Sequence, residues 1–361
     1  MEANRFFARS YAEARAKFLA AARGAGAKLQ SHAHPRPGRD GERLALDVAR
    51  VGDADAAKLL ILSSGVHGIE GYAGSGVQNA LLADAGFLEA AREAGIALLF
   101  VHAVNPWGFS FGERWTHENV DLNRNFVDFS LPLPDNPGHD QLVAALVPEA
   151  WPDAQADAVL WAYFHRHGDR AMQDAVSGGQ YRHAHSLFYG GNAPTWSRLV
   201  LETVLVEYAT RCRRLAWIDL HTATGPAGGS EHLLPWSDDA AMVERARGWW
   251  GAQVKSLGDD GASLSALQGT VQLAARRLCK QAEQLTCTVF EFGTVTPEET
   301  LMALRGRQWL TRHPQAEPAQ AAAIEQRMRD AFYTDTDAWR AGVVRQGGAA
   351  AREAVTGLAG G

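Results

Sequence analysis

The apolar positions of this chain fall into short unbroken runs separated by stretches with helical spacing. Residues 58–64 (KLLILSS), 96–104 (IALLFVHAV), 215–222 (LAWIDLHT) and 286–293 (TCTVFEFG) are the runs, and each reads as a strand covered on both faces. Residues 43–51 (RLALDVARV) alternate apolar with polar, which predicts a strand with one face in the core. Between the runs, apolar residues recur with the period of a helix over 5–24, 72–85, 195–214, 237–256, 268–284, 297–312, 318–332 and 336–347. Thr195 stands where a helix cap belongs, and Asn105-Pro106 stops the third strand. The stretch 127–154 is rich in Pro, Asp and Asn and is expected to be a long surface loop.

Apolar strands alternating with helices predict an α/β fold with a mixed, mostly parallel central sheet and helices on both faces. No composition shift marks a boundary. One domain is therefore expected over 1–361, with the helices of about 315–361 as a C-terminal extension. In such sheets ligands bind outside the carboxyl ends of the strands, so chemistry is sought there.

Composition narrows the classes of function. The 361 residues carry a formal net charge of -6, which argues against a nucleic-acid partner. The basic run Arg211–Arg214 suits the solvated end of a helix. No run of about 18 apolar residues exists, so no membrane span is expected. The N-terminus lacks the uninterrupted apolar core of a secretory signal, and the protein is expected to be cytoplasmic. Three cysteines without a CxxC pair cannot build a four-cysteine zinc site. The 13 histidines raise the question of what they bind.

Five windows carry chemistry. His67-Gly68-Ile69-Glu70 follows the strand 58–64 directly, and an H-x-x-E pair on a glycine-rich turn can converge on one metal ion. Alone it also reads as a capping Glu with an incidental His. Asp219 and His221 lie on one face at the end of the strand 215–222; the pair suits a ligand histidine with its carboxylate, or a buried His satisfied by Asp219. Glu291 ends an apolar strand, where burial is costly without a purpose. It suits a general base or an ion pair with Arg305 or Arg307. Asn119–Phe126 (NVDLNRNF), preceded by Arg114, offers an Arg fork beside Asn for a carboxylate, or a hydrogen-bonded loop. Gly178–Asn192 reads as a loop carrying Tyr189.

Taken in order, H-x-x-E, N-P-W-G, D-L-N-R-N-F, D-L-H-T and E-F-G resemble the zinc carboxypeptidase superfamily over about residues 58–295. That superfamily includes carboxypeptidase A-like peptidases and aspartoacylase/succinylglutamate desuccinylase-type deacylases. The strings SSGVHGIEGYAGSGVQ, FYGGN, DLHTATG and EFGT look most like an uncharacterised bacterial branch of unknown function. The resemblance implies a phosphorylase/hydrolase-like architecture and one zinc ion per chain on His67, Glu70 and His221, with Asp121 behind His67. It implies Glu291 as general base, Arg114 as the oxyanion partner, and Asn123 and Arg124 as holders of the substrate carboxylate. Tyr189 would stand for the mobile tyrosine of the peptidases. The implied activity is hydrolysis of an amide or peptide bond beside a substrate carboxylate, in a small peptide or an N-acyl amino acid. An N-acyl-amino-acid deacylase and a catalytically inactive metal-binding protein are the alternatives. The chain departs from the digestive enzymes in its insertion at 127–185, which would narrow the cleft, and in D-L-H-T at the third ligand.

Other histidines and serines fit less well. His32 and His34, and His183 and His185, form H-x-H pairs, as in metal-dependent amidohydrolases, but neither pair follows an apolar run. His165 and His167 face different ways on a helix. Ala73-Gly74-Ser75-Gly76-Val77 lacks the outer glycines of a serine-hydrolase elbow and lies in a helical stretch.

Overall fold

The computed structural model describes residues 3–259, 261–264 and 266–360. Among these described residues, eight strands and twelve α-helices follow one another. Helix α1 (Tyr11–Gly24) precedes strands β1 (Lys28–Pro37), β2 (Arg43–Val51) and β3 (Lys58–Ser64). Then come α2 (Gly71–Leu82), α3 (Ala85–Glu93), β4 (Ile96–His102) and α4 (Pro106–Phe111). Helices α5 (Pro137–Leu146), α6 (Ala154–Ser177) and α7 (Trp196–Tyr208) lead to β5 (Arg214–Thr222), β6 (Ser230–Leu234), α8 (Ala240–Trp250) and β7 (Lys255–Ser256). The chain ends with α9 (Leu273–Leu278), β8 (Gln284–Phe292), α10 (Pro297–Arg312), α11 (Pro318–Phe332) and α12 (Asp337–Gly360).

The sheet runs β1-β2-β4-β3-β5-β8-β6-β7. The pairs β3–β4, β3–β5, β5–β8 and β6–β7 are parallel; β1–β2, β2–β4 and β6–β8 are antiparallel. This is the mixed, mostly parallel α/β sheet that the apolar runs imply. Residues Leu59–Ser64 of β3, all of β4 and Leu215–Thr222 of β5 are buried, as a sheet covered on both faces requires. From β3 the chain crosses to β4 on one side, while β5 lies on the other. The carboxyl ends of β3 and β5 therefore flank a topological switch point, where a crevice opens.

Several elements differ from expectation. Strand β2 is buried on both faces over Leu44–Ala49, because α1, α4 and α7 pack against it. Tyr11 of α1 exchanges hydrogen bonds with the backbone of Ala45. Strand β1 carries polar residues throughout and is mostly exposed, so no apolar pattern announced it. The short β6 and β7 carry none either. The stretch 127–154 contains α5, which Asn136 caps through its side chain; its Pro and Asn mark a helix start rather than a loop. The helix expected over 268–284 contracts to α9, while α12 runs beyond 347 to Gly360 and adds Ala350, Ala351, Ala354 and Leu358 to the main core. No helix among the described residues is long and apolar enough to cross a membrane.

One buried titratable group ties the first layer to the sheet. His102, at the end of β4, stacks on Phe18 of α1 at 4.5 Å and meets the Ser75 hydroxyl of α2 at 3.1 Å. Burial pushes its pKa down to about 4. The folded state thus binds this proton more weakly than the unfolded state, so the contribution of His102 is full above about pH 6.5 and fades as pH falls toward 4. That loss is on the order of 3 kcal/mol. In His102→Gln the fall in unfolding midpoint between pH 6.5 and 4 is expected to be shallower than in the parent; equal slopes in thermal melts would contradict this account.

Candidate metal centre

Three strand ends deliver the central groups. The turn after β3 carries His67 and Glu70, with Gly68–Glu70 forming a single 3-10 turn. Only glycine fits at position 68, since a Cβ there would lie 2.0 Å from the carbonyl carbon of Gly108 in α4. The same turn is fastened by hydrogen bonds from the Gly68 and Ile69 amides to the carbonyls of Arg114 and Glu113. Strand β5 carries His221 one residue before its end, and β8 sets Glu291 beside it in parallel register.

The imidazoles and the carboxylate converge. His67 Nδ1 and His221 Nδ1 are each 2.9 Å from Glu70, on different carboxylate oxygens, and 3.2 Å from one another. Each ring turns its far nitrogen to a second carboxylate: His67 Nε2 to Asp121 at 3.2 Å, and His221 Nε2 to Asp219 at 2.7 Å. Asp121 also accepts from Arg114 Nε and the Asn123 amide, while Asp219 accepts from Ser63 and Gln272. All five are buried.

These contacts test whether a cation fits. Donation from each Nε2 to its aspartate leaves both Nδ1 lone pairs facing each other and the Glu70 carboxylate. Three acceptors aimed at one point repel unless a positive charge lies between them. Histidine ligands held from behind by carboxylates are the usual outer support of a metal site. Among the described residues His67, Glu70 and His221 form the one group of three or more metal-binding side chains whose donor atoms lie within 4.8 Å of one another. The donor set, two nitrogens and a carboxylate, fits a divalent metal ion with coordination positions to spare.

The electrostatics show the same demand for positive charge, which either a proton on His221 or a cation between the rings meets. Burial works against ionisation of Glu70, yet His67 and His221 hold its carboxyl well below the ordinary range. Burial likewise opposes ionisation of Asp121, and Arg114, Arg124 and His67 overcome it. His221 is raised well above its ordinary value by Asp219 and Glu70, against burial. Glu291 behaves oppositely. Burial raises its pKa to about 8, with Glu70 adding to the rise and His221 and Arg114 opposing it. Its Oε2 has no hydrogen-bond partner.

A cavity of about 830 Å³ opens over this cluster, and His67, Arg114, Asn123, Arg124 and Glu291 face it. Arg114 grips Glu70 and Asp121 at 3.1 and 3.0 Å. Arg124 donates to the carbonyls of Asn123 and Ser177, and Asn123 accepts from the Val271 amide. Both guanidinium groups lie over the Phe188 ring, at 5.3 and 5.4 Å. Tyr189 contributes its carbonyl to the Asp121 amide, and its side chain is not among those facing the cavity. Phe188 faces the cavity instead, with a φ of 54°, a conformation rare for an aromatic residue. Arg305 and Arg307 pair with Asp157 and Glu113, not with Glu291.

Sequence reasoning missed Thr270 and the wall formed by α6. Thr270 is fully buried, faces the cavity, and its hydroxyl lacks a partner. No local signal distinguishes it from an ordinary loop threonine. Helix α6 has a legible apolar spacing, but only the fold shows that this face meets the site.

A family model described as Protein of unknown function (DUF2817) matches residues 7–346. No curated protein matches the sequence. Among solved structures, the chain is similar to bovine thrombin-activatable fibrinolysis inhibitor in complex with tick carboxypeptidase inhibitor. The two are 12% identical with a TM-score of 0.44, over 94% of this chain and 98% of that one. It is also similar to succinylglutamate desuccinylase/aspartoacylase from Rhodobacter sphaeroides, at 15% identity and a TM-score of 0.37, over 79% of this chain and 65% of that one. A third is the product-bound ectoine utilization protein from Ruegeria pomeroyi, at 16% identity and 0.35, over 79% and 67%.

The geometry makes a direct prediction for binding. Elemental analysis of the purified chain is expected to find about one divalent ion per molecule, and His67→Ala and His221→Ala should lose it. Asp219→Asn, which only loosens the support of His221, should weaken affinity roughly 10–100-fold. Stoichiometric metal in His221→Ala would contradict the assignment.

Proposed function

This chain belongs to the DUF2817 family, and from that premise we propose that it is a zinc-dependent hydrolase that cleaves an amide or peptide bond next to a substrate carboxylate, in the manner of a carboxypeptidase. The observation that carries the reading is the position of Glu291. Glu291 lines the cavity and pairs in register with His221, one strand away in the sheet, and its buried Oε2 has no hydrogen-bond partner.

His67, Glu70 and His221 would hold the zinc ion, which when bound supplies a Lewis acid for the scissile carbonyl and for water. Glu291 takes the proton of the attacking water and returns it to the leaving nitrogen. A carboxyl raised toward neutral is suited to both halves of that transfer. Arg114 keeps Glu70 and Asp121 in place through Nε and Nη1 and turns the rest of its guanidinium to the cavity. It is suited to the charge that develops on the carbonyl oxygen. Arg124 and Asn123 anchor the substrate carboxylate. Arg124 is pre-set by its bonds to Asn123 and Ser177, so little freedom is lost when the ligand arrives.

An N-acyl-amino-acid deacylase would use the same groups. The apolar wall that α6 adds to the cavity favours it, because an acyl chain requires no polar partners.

Glu291→Gln should retain the metal and lose hydrolysis by at least about 10²-fold, on a panel of N-acyl amino acids and of peptides with free and amidated C-termini. Amidated peptides should be poor substrates. Near-normal turnover by Glu291→Gln would contradict the assignment of the base.

A further inference from the structure

The polar floor occupies only part of the cavity. Much of the remaining wall comes from α6, which lies in the insertion after Phe126. Its cavity-facing positions run 157, 160, 161 and 164, then 169, 172, 173 and 176. Each set has the spacing of one helix face. Between them Gly168 breaks the helix with φ 82° and ψ 174°, and this break brings the second half round to the same cavity. Leu160, Phe164, Met172 and Val176 form the apolar stripe, and Leu264 and Leu301 face the cavity from other elements. The polar side chains on the α6 face are already engaged. Asp157 pairs with Arg305, and Gln173 donates to Asp169.

The stripe starts at the polar floor. The carbonyl of Ser177, the last residue of α6, accepts from the Arg124 guanidinium. Phe188 closes the gap by lying beneath both Arg114 and Arg124. Outward, Trp161 remains 45% exposed at the far end. A ligand anchored by its carboxylate at Arg124 would therefore lead from charge to hydrocarbon along one helix. Along the stripe of Leu160, Phe164, Met172 and Val176 a peptide would bring an N–H and a C=O at every residue to hydrocarbon, which is costly; the unpartnered hydroxyls of Thr224, Ser263 and Thr270 lie on other elements of the cavity. A hydrocarbon chain has no such requirement. The volume of about 830 Å³ also lies toward the upper end of the range for small-molecule sites, well beyond the needs of an acetyl group.

We propose that the α6 face is the subsite for a long aliphatic acyl chain, so that the substrate is an N-acyl amino acid bearing a fatty acyl group. The inference rests on the hydrolase reading only for where the scissile amide lies; the subsite itself is read by binding. Burial of one methylene is worth about 0.8 kcal/mol, or about fourfold in affinity.

Calorimetric titration of metal-loaded Glu291→Gln protein with N-acetyl-, N-hexanoyl- and N-decanoyl-L-alanine tests this without turnover. Affinity should rise by up to about fourfold per added methylene until the chain reaches the cavity mouth. Phe164→Ser and Met172→Ser, each made in that background, should cut the decanoyl-to-acetyl affinity ratio at least tenfold. Two variants guard against one failing to fold. An affinity that does not depend on chain length, or a ratio that survives both substitutions, would overturn the subsite. Turnover by Glu291→Gln would instead count against Glu291 as the base and leave the chain-length dependence interpretable, while a panel on which the parent protein shows no hydrolysis would count against the hydrolase reading.

Discussion

Two imidazoles that turn their lone pairs toward one carboxylate, inside a protein core, are the constraint on which the site depends. His67, His221 and Glu70 form an acceptor cluster that is unfavourable without a positive charge at its centre. The aspartates behind the rings deepen that demand. They fix which nitrogen points inward and keep the local charge negative. Burial makes the arrangement specific, because water cannot screen it. Arg114 and Arg124 offset part of the negative charge at Asp121.

The fold exists in a form that meets this constraint. Parallel β3, β5 and β8 end side by side, and each end contributes one functional group or pair. The rigid turn at Gly68, locked against α4, allows two ligands to come from four consecutive residues. Register alone then places Glu291 next to His221. Glu291 and the His67–Glu70–His221 cluster are thus set by strand order and one tight turn, while Asn123 and Arg124 come from a separate 3-10 turn, Leu122–Arg124. The insertion carrying α5 and α6 is free to shape the outer cavity without disturbing them.

Much of this was legible in the sequence, for physical reasons. Strands buried on both faces must be apolar throughout, so β3, β4, β5 and β8 stood out, and charged residues at their ends had to have a purpose. Asp219 and His221 share a face by the alternation of a strand, and the structure joins them at 2.7 Å. What stayed hidden depends on long-range packing. Strand β1 is polar and gains its identity only by pairing with β2. Helix α5 was masked by the Pro and Asn that begin it. Thr270 and Phe188 face the cavity because loops distant in sequence are folded against it. Tyr189 lies at the expected place in the chain, but its carbonyl, rather than its ring, meets the site.

The central claim is that His67, Glu70 and His221 enclose a metal ion that the protein needs for its chemistry. Anomalous diffraction at the zinc edge, from crystals of the zinc-equilibrated full chain, tests it most directly. The account predicts one strong peak about 2.0–2.2 Å from both Nδ1 atoms and a Glu70 oxygen, with the Asp121 and Asp219 contacts preserved. Crystals equilibrated with zinc that show no peak at this point, and retain the 3.2 Å approach of the two Nδ1 atoms, would contradict it.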